Sequence, residues 1–599
     1  MHIPDSGERY HIIRRTFYAG MFAYILSSLT SSVGSLIDGV IIGQCLGVES
    51  MAAFGLVSPV LIFFSLCGAI VASGARNRFT MMIGSGDVEG ARGIFTLSML
   101  MSVGMSVLLM MIVFAFSTPV CMLLGATGSA AGLMEEARKY LLGIAVGLPA
   151  MNATRVMYAF LPIDNDRRLT VLASVTVTVV DIILDLAVAF VLPHGGIFEM
   201  GLATSISHFA ALAVVLLHFR RKDRLTRFSF KAVPWNETIP VLSHGLPNGV
   251  ARVSCTIRCI LLNQMMAGMA GAAGCIAAYS VQRQADSLLN GFFFGISDTV
   301  CMLTGILMGE QNRPTLRRML KTSFRAAGTM LLGISALLWL FAPQFAAIFI
   351  HDAPQETLNY AISATRCFAL GMPLYGLHHI FSEYSDGRGK TVLSLALKFC
   401  SEGGLIVLSA FILLPLCNVE AIWAAFPASQ LLLLLLDVLI ITAQNKKLCL
   451  RPTNFWKWYM ALPADFDVPS EDRIDRTITT QEQVVELYRA ARDFCVEHGC
   501  DARRTYLISL AVEELATNTL QTGFRPGKHN AIDMRILKKD NDYILRMRDD
   551  CEIFDPVKQL KLYDKNLPMH HMGIRMAIAS ARDVRYTAIL RLNNLVLRV

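Results

Sequence analysis

Long apolar stretches alternate with short polar segments through the first 450 residues of the chain. A transmembrane helix needs about 20 predominantly apolar residues, and windows of that length recur along this part. They predict twelve membrane-spanning helices, of which the eighth is long enough to be broken. Their approximate ranges are 17–43, 53–75, 94–116, 138–161, 169–192, 200–219, 238–263, 274–308, 323–350, 360–384, 391–415 and 419–443.

The last part of the chain follows a different pattern. Trp456 and Trp458 are typical of a membrane–water interface, and a polar linker (464–479) that leads to a strand comes after them. Helical periodicity then predicts helices at 481–498, 502–521 and 572–582, and alternating residues predict strands at 531–539, 542–550, 584–590 and 593–599. Such a mixture predicts an α+β sandwich.

Charge separates the same two parts of the chain. Residues 451–599 hold 44 Asp, Glu, Lys and Arg residues, whereas the three times longer segment 1–450 holds 56. This contrast excludes a compact soluble fold for the first part and a membrane location for the last part. The net charge of +8 lies in loops, so it indicates membrane orientation and no nucleic-acid partner. The 14 scattered Cys residues indicate buried thiols without a disulfide framework.

Basic residues occupy every second loop between the predicted spans. The loops near 44–52, 193–199, 268–273, 351–359 and 416–420 contain neither Lys nor Arg. By the positive-inside rule, both termini and the polar C-terminal domain are expected in the cytoplasm, below the plasma (inner) membrane of a bacterial-type cell. The first apolar run is too long for a signal peptide, so the first span is expected to be retained. The basic loop residues are Arg9, Arg14, Arg15, Arg76, Arg78, Arg92, Arg167, Arg168, Arg220, Arg221, Lys222, Arg224, Arg227, Lys231, Arg313, Arg317, Arg318, Lys321, Arg388 and Lys390.

The two six-span halves repeat each other. A shift of 225 residues superimposes several small residues and one arginine, and a nearly equal shift places Gly147-Leu148-Pro149 on Gly371-Met372-Pro373. Because six crossings is an even number, the halves form a parallel repeat about an axis along the membrane normal, with the working site between or within them. The matched pairs are Gly20 with Gly245, Gly43 with Gly268, Ala52-Ala53 with Ala277-Ala278, Gly84 with Gly309 and Arg92 with Arg317.

Three segments carry a family resemblance. They are IDGVIIGQCLG (37–47), SMAAFGLVSPV (50–60) and MIGSGDVEGAR (82–92). Together with the two six-span lobes, they resemble the multidrug and toxic compound extrusion (MATE) transporters over residues 12 to 445. The resemblance implies a cation-coupled antiporter that alternates access by opening and closing a cleft between two helical bundles.

Acidic residues at membrane depth in the first half are candidate coupling residues. An ionised side chain inside a span costs several kcal/mol unless it is paired or hydrated, and this applies to Asp38, Asp181 and Asp185. Asp181 and Asp185 share a helix face, so the group could take up H⁺ or hold Na⁺. The alternative is that Asp38 only caps its helix and one of the pair is salt-bridged. The MATE resemblance assigns Asp38, Asp181, Asp185 and Thr204 to a cation site, although the family often has Asn where Asp181 stands.

Polar residues in the second half are candidates for a substrate cavity or a second cation site. Gln282, Asp286 and Asn290 recur every four residues, so they lie on one helix face. Arg283 is expected to pair with Asp286, whereas Glu383 and Asp386 are expected at the cytoplasmic interface. The alternative is a self-satisfied polar network that only holds helices together. The full candidate set is Asn263, Gln264, Gln282, Asp286, Asn290 and Asp298.

The tail resembles the histidine-kinase-like ATPases, closest to the anti-sigma-factor serine kinases. The resemblance rests on Glu514-x-x-x-Asn518, RDDCEIFDP (548–556) and MGIRMAIASARDVRY (572–586). It implies that Asn518 binds Mg²⁺, that Glu514 is the catalytic residue if the domain is active, and that Asp549 and Gly573 contact ATP. Two glycines of the family are replaced, by Cys551 and by His571. The alternative is therefore a degenerate domain that binds partners or nothing.

We therefore expect a MATE-like antiporter that exchanges organic, cationic or amphipathic compounds for H⁺ or Na⁺, with the tail as a regulator that engages a cytoplasmic protein. The alternatives are a flippase for lipid-linked or polysaccharide precursors on a related twelve-span scaffold, and a membrane-anchored signalling ATPase or serine kinase. The expected boundaries are an N-lobe (1–219), a basic linker (220–236), a C-lobe (237–450), a second linker (451–479) and the ATPase-like domain (480–599).

Overall fold

The protein consists of two bundles of long helices and a small α/β domain, seen in a computed structural model. The structure describes residues 11–46, 48–123, 131–192, 196–221, 224–230, 233–267, 272–349, 354–417, 419–446, 454–539, 541–558 and 572–599. We call the two bundles the N-lobe and the C-lobe, and the α/β domain the tail domain.

The N-lobe contains seven described helices. A break at Gly147 separates α4 from α5, and Pro149 stands in the first turn of α5, where its missing N–H is tolerated. The helices are α1 (His11–Ile41), α2 (Val48–Ser85), α3 (Val88–Leu123), α4 (Ala131–Ala145), α5 (Leu148–Phe160), α6 (Arg167–Phe190) and α7 (Ile197–Leu216).

The C-lobe repeats this arrangement with differences in helix continuity. The eighth predicted span, which is long enough to be broken, is the continuous helix α9. The repeat partner of the N-lobe break, at Pro373, lies inside the continuous helix α12. The helices are α8 (Thr238–Ala267), α9 (Ala272–Gly309), α10 (Arg313–Leu340), α11 (Ala342–Phe349), α12 (Gln355–Gly387), α13 (Thr391–Phe399), α14 (Leu405–Cys417) and α15 (Glu420–Asn445).

Eight helical stretches of the described residues are long and apolar enough to cross a membrane. They coincide with eight of the twelve predicted spans. The other four predictions fall on α1, α4–α5, α8 and α12, whose sequences hold more hydroxyl, histidine and charged residues. The eight stretches are Val60–Ser85, Val88–Met122, Arg167–Phe190, Ile197–Arg220, Gly274–Gly309, Arg313–Leu340, Thr391–Leu416 and Glu420–Asn445.

The two lobes meet along the half of the bundle that faces the tail domain, which we call the tail-side half. At its end, Gly84 of α2 touches Gly309 of α9. A Cβ on Gly84 would lie 2.1 Å from the Ile306 carbonyl oxygen, and a Cβ on Gly309 would lie 2.3 Å from the Met81 carbonyl oxygen. Two glycines that the repeat superimposes therefore permit a close approach of the lobes.

The tail domain begins after the short helix α16 (Phe455–Met460). It has a five-stranded antiparallel sheet of order β1-β2-β3-β5-β4. The predicted helices and strands of the tail are confirmed to within about three residues at each end. The elements are β1 (Arg473–Ile478), α17 (Gln481–Glu497), α18 (Ala502–Asn518), β2 (Ile532–Lys539), β3 (Asp542–Asp549), α19 (Met572–Ser580), β4 (Asp583–Ile589) and β5 (Leu592–Arg598).

The tail sheet has two unlike faces because side chains alternate along a strand. On β3, Tyr543, Leu545 and Met547 are buried in the core formed with α17, α18 and α19. The intervening residues Arg546 and Arg548 lie on the opposite face, which packs against the two lobes. The alternation predicted from the sequence thus positions the charged face on the membrane part.

Candidate functional site

Three acidic residues of the N-lobe lie together in the half of the bundle away from the tail domain. Asp38 lies near the end of α1, and Asp181 and Asp185 lie one turn apart on α6. The charged side chains that interact with Asp38 and Asp185 are the other acids of this group: Asp181 for Asp38, and both Asp181 and Asp38 for Asp185. We call these three residues the acidic trio.

The described neighbours of the acidic trio leave some of its carboxylate oxygens without a hydrogen bond. The Oδ1 atoms of Asp38, Asp181 and Asp185 have no hydrogen-bond partner among the described residues. Asp181 and Asp185 are only 5% and 1% exposed. Asp38 lies inside α1, which continues to Ile41, so it does not cap that helix. Buried carboxylates without a compensating cation are costly, which makes the trio suited to an exchangeable proton or metal cation.

Hydroxyl groups complete the surroundings of the trio. The side chains of Thr204 and Ser207, on α7, interact with the Asp181 carboxylate. Tyr140, on α4, lies close to all three acids. The structure therefore brings Thr204 to the acids with which the sequence grouped it. Carboxylate and hydroxyl oxygens are the ligands that a hard cation prefers.

Two of the predicted substrate-cavity residues line a small cavity in the C-lobe. Gln282 and Asp286 lie there with Arg258 and Tyr279. Asp286 Oδ2 lies 3.5 Å from Arg258 Nη2, so the expected ion pair between Arg283 and Asp286 is wrong. Arg258 reaches Asp286 from the neighbouring helix α8, and Arg283 is an exposed residue of α9.

The other predicted cavity residues lie elsewhere. Asn263 and Asn290 are half-buried and Gln264 is exposed, and none of them lines this cavity. Asp298 lies further along α9, where its Oδ1 accepts a hydrogen bond of 2.6 Å from Arg76 of the N-lobe. Asp298 therefore joins the two lobes.

Glu383 and Asp386 are buried, although they were expected at the interface. Lys398 of α13 lies between them, with its Nζ 2.7 Å from Glu383 Oε1 and 3.5 Å from Asp386 Oδ2. Both acid side chains and Lys398 are at most 6% exposed. An ion pair formed within the C-lobe explains how carboxylates at this depth can stay charged.

Sequence reasoning missed Lys398 and Glu402. Glu402 accepts a hydrogen bond of 2.6 Å from the Tyr375 hydroxyl, and its Oε1 lies 3.3 Å from His379 Nε2. Both missed residues lie in the eleventh predicted span (391–415). The sequence signal that could have identified both residues is an ionisable side chain within an apolar window.

The candidate nucleotide residues of the tail lie along one edge of α18. Glu514 and Asn518 are half-buried and one helical turn apart. Gly573 at the start of α19 lies directly against Glu514, since a Cβ there would be 2.1 Å from Glu514 Cδ. The Glu514 side chain thus lies over the start of α19, at the glycine of the motif.

Asp549 is held at the end of β3. Its Oδ1 accepts hydrogen bonds from Asn593 Nδ2 (2.7 Å) and from the Cys551 N–H (3.0 Å). Burial raises the pKa of Asp549, and these hydrogen bonds partly offset that rise. Cys551 Sγ packs against Gly523, just after α18. The second replaced glycine, at His571, lies outside the described residues.

The tail domain binds the C-lobe through charge. Glu310, in the turn between α9 and α10, is 1% exposed and forms ion pairs with Arg546 (3.3 Å) and Arg548 of β3. Lys539 Nζ donates a hydrogen bond of 3.1 Å to Gln311 Oε1 in the same turn. Two arginines on one buried carboxylate make this a strong ionic contact.

The tail domain binds the N-lobe mainly through its backbone. The turn between β4 and β5 consists of Leu590 and Arg591, with φ angles of 55° and 61°. The Leu590 N–H donates to the Ile163 carbonyl at 3.0 Å. Asn165 Nδ2 donates to the Ala588 carbonyl at 2.7 Å and Asn165 Oδ1 accepts from the Arg591 N–H. The hairpin tip is thus inserted against the N-lobe loop before α6.

A further contact shows that the tail domain binds corresponding turns of the two lobes. Arg585 of β4 donates to the Ser85 carbonyl at 3.4 Å, in the turn between α2 and α3. The repeat shift of 225 residues places Ser85 on Glu310. The tail sheet therefore contacts corresponding turns of both lobes, above the point where Gly84 meets Gly309.

Comparison with protein families identifies both parts of the chain. The MatE family model matches residues 23–187 and 249–412, once in each lobe and at the register that the internal repeat predicts. The histidine kinase-like ATPase domain model matches residues 478–598. The first match spans more than half of the chain, and the second covers the tail sheet and its helices.

Curated relatives match along most of their own length. A probable multidrug resistance protein NorM from Photorhabdus laumondii is 22% identical over 341 residues, which cover 55% of this chain and 73% of that protein. A probable multidrug resistance protein YoeA from Bacillus subtilis is 20% identical over 427 residues, which cover 69% of this chain and 90% of that protein.

Solved structures show the same fold. A MOP superfamily transporter from Pyrococcus furiosus matches with a TM-score of 0.65 and 21% identity, covering 73% of this chain and 97% of that one. A MATE transporter from Vibrio cholerae matches with a TM-score of 0.65 and 14% identity, covering 71% and 95%. The two lobes therefore have the MATE transporter fold, and the chain belongs to the MATE family, with a histidine kinase-like ATPase domain fused at its C-terminal side.

Proposed function

We propose that the protein is a cation-coupled antiporter that exports organic, cationic or amphipathic compounds. Membership of the MATE family supports this function, as do the names of the relatives, which are probable multidrug resistance proteins. The proposal includes a place in the plasma membrane with both termini in the cytoplasm, where the basic loops lie on the tail side. Labelling of single-Cys variants in intact cells tests this orientation, because a thiol placed in the 193–199 loop should react with an impermeant reagent.

The observation that supports cation coupling is the acidic trio. Each carboxylate has one oxygen without a hydrogen-bond donor, and carboxylates this close resist ionising together. A proton or Na⁺ relieves that repulsion, and its release restores it. Asp38, Asp181 and Asp185, with the Thr204 hydroxyl, would hold the ion. Binding at the trio thus favours one arrangement of α1, α6 and α7 over another.

The geometry of the lobes supports alternating access. Close contacts join α1 to α9 and α2 to α8, as where Ser32 donates to the Ser287 carbonyl and where Gly245 packs on Ile70. The half-buried ion pair between Arg76 and Asp298 joins the lobes in the tail-side half. In our proposal this state is closed towards the cytoplasm, and inward opening must break that pair.

Gradient-driven export from proteoliposomes tests the coupling. Asp38→Asn and Asp185→Asn should each reduce export driven by a proton or Na⁺ gradient at least tenfold, because each replaces a carboxylate of the trio with a neutral amide. Glu135→Gln is the matched control, since Glu135 is an exposed N-lobe acid that pairs only with Arg138. Undiminished export in both Asp variants would disprove the coupling site. Translocation of a lipid-linked precursor without any gradient would favour a flippase.

We further propose that the tail domain regulates transport by holding the lobes together. It contacts the Glu310 turn of the C-lobe and the Ser85 turn of the N-lobe. If the lobes separate on this side, one of these contacts must break. Glu310→Gln should therefore accelerate export severalfold, because it removes the charge that holds Arg546 and Arg548. Glu89→Gln, at an exposed acid of the α2–α3 turn, is the control; equal rates in the two variants would contradict the clamp.

The tail is proposed to hold ATP and Mg²⁺. Asn518 would bind Mg²⁺ and Glu514 would orient the attacking group, while Asp549 would accept a hydrogen bond from the base and Gly573 would lie near the phosphates. Asn593 and the Cys551 N–H fix Asp549 Oδ1 at the end of β3, which orients the carboxylate for an amino donor of the base. Bound ATP would supply a phosphoryl group for transfer to a cytoplasmic protein, or its binding alone would regulate the domain.

Nucleotide binding by the full chain tests this part. Asn518→Ala should weaken MgATP binding about tenfold or more, with little effect on binding without Mg²⁺. Binding should also weaken on acidification at a pH above the ordinary aspartate range, because burial raises the pKa of Asp549 and the carboxylate is the hydrogen-bond acceptor. Equal affinity of Asn518→Ala and wild type would refute the assignment and leave a degenerate partner-binding domain.

A further inference from the structure

A large basic cavity lies where the C-lobe, the linker and the tail domain meet. Its volume is about 410 Å³, and six of its eight lining residues are Lys or Arg. We call these six the basic pocket. They are Arg313, Arg317, Arg318, Lys321, Lys457 and Arg473, and the other two lining residues are Pro314 and Met460.

None of the eight described residues that line the basic pocket is acidic. Arg473 pairs with two carboxylates, since its Nη1 lies 2.6 Å from Asp467 Oδ2 and its Nε lies 3.3 Å from Asp475 Oδ2. Arg313 Nη2 donates to the Pro463 carbonyl at 2.7 Å, and Arg318 and Lys321 also have interaction partners. Arg317 and Lys457 are exposed, so an anion that enters the cavity is attracted by cations that face solvent.

The helices that carry the cations place the pocket at the tail-side end of the membrane part. Arg313, Arg317, Arg318 and Lys321 lie in the first turns of α10, which is long and apolar enough to cross a membrane. Lys457 belongs to α16, whose Trp456 and Tyr459 pack edge-on against Phe324 of α10, with ring centroids 5.5 and 5.2 Å apart. In a bilayer, the end of such a span lies at the level of the lipid headgroups.

We propose that the basic pocket binds the phosphate group of an anionic phospholipid. Phosphate matches the chemistry of the cavity, because arginine binds phosphate oxygens in a bidentate manner and lysine adds a point charge. A membrane lipid is favoured over free phosphate because four of the cations lie in the first turns of α10, a candidate membrane span. Clusters of four to eight Lys and Arg residues next to a transmembrane helix are typical sites for anionic lipids.

Lipid binding at this position connects the membrane to the tail domain. Arg473 stands on β1, and its partner Asp467 also binds Arg535 of β2 at 2.6 Å. A lipid phosphate in the pocket competes with Asp467 for Arg473 and bridges α10 to the sheet. The tail domain is thereby attached to the bilayer as well as to the lobes.

Native mass spectrometry of the purified full chain tests the proposal. The variant Arg317→Gln/Lys457→Gln removes two exposed charges from the pocket, and Arg168→Gln/Arg220→Gln removes two exposed charges from the N-lobe on the same side. The probes are phosphatidylglycerol, phosphatidylcholine and inorganic phosphate. We expect the pocket variant to lose retained phosphatidylglycerol about tenfold and the control less than twofold, with phosphatidylcholine unaffected.

Two outcomes would overturn the assignment. Equal loss of phosphatidylglycerol in the two double variants would show diffuse attraction to the surface. Binding of inorganic phosphate at the pocket without preference for phosphatidylglycerol over phosphatidylcholine would assign the site to a soluble phosphate compound. The charge-reversed variant Lys457→Glu should repeat the loss. Because the readout is retained lipid, the result does not depend on whether export is cation-coupled.

Discussion

The two lobes repeat each other in sequence, yet the acids within their predicted spans have opposite kinds of neighbours. In the C-lobe, Asp286 faces Arg258, Glu383 faces Lys398, and Asp437 Oδ2 lies 3.0 Å from His378 Nδ1. In the N-lobe, the acidic trio has other carboxylates as its charged neighbours.

This difference separates a permanent counterion from an exchangeable one. A lysine or arginine that is part of the chain cannot diffuse away, so Asp286 and Glu383 keep a counterion that belongs to the C-lobe. Among the described residues the trio has no such partner, and in our proposal its compensation comes from solution. Under that proposal, one lobe of the repeat exchanges a cation and the other keeps its charges paired.

The largest effect is expected where a permanent counterion is removed. Lys398→Met leaves Glu383 and Asp386 buried without their cation, which should cost about 3–5 kcal/mol of folding free energy. Thermal unfolding of the purified protein measures this loss. Lys398→Arg keeps the charge and serves as the control. A melting temperature like that of the wild type in Lys398→Met would end the comparison between the lobes.

Stabilisation by the coupling ion gives the next largest effect. Added Na⁺ at a hundred times its dissociation constant should stabilise the protein by about 2.7 kcal/mol, with choline at equal ionic strength as the control. If the ion is H⁺, mild acidification should stabilise it instead. Asp185→Asn should remove either response. A protein that responds to neither ion has no cation site at the trio.

The smallest expected effect is a difference in sign: one Asp→Asn substitution should stabilise the fold and another should destabilise it. Asp181→Asn relieves repulsion within the trio and should stabilise the fold by about 1 kcal/mol. Asp437→Asn removes the partner of His378, which is fully buried, and should destabilise the fold. Melting temperatures that move in the same direction would show that the two lobes do not differ in the proposed way.

Most of the fold could be predicted from local patterns in the sequence. Period-2 alternation located β2 and β3, and apolar windows located the helices, because both signals depend on neighbouring residues. The trio could be predicted for the same reason, since Asp181 and Asp185 are one turn apart on a single helix. Asp38 was a candidate because it lies within an apolar window, whereas Thr204 required the family resemblance, because α6 and α7 meet only in three dimensions.

The contacts that could not be predicted are those that join distant segments. Arg258 pairs with Asp286 across two helices, whereas the nearer Arg283 does not. Docking of the tail on Glu310 and Asn165 joins residues more than two hundred positions apart. Helical spacing favours short-range partners, so it misled the reading of Arg283 and gave no signal for the interface.

The contact between Gly84 and Gly309 makes the transporter resemble a two-fold dimer joined into one chain. At the axis of such a dimer, one residue faces its own copy, so a single steric requirement applies to both subunits at once. Here that requirement is encoded twice, at two positions that can change independently. A methyl group on either glycine meets backbone atoms of the other half, so neither copy can relax the requirement for the other.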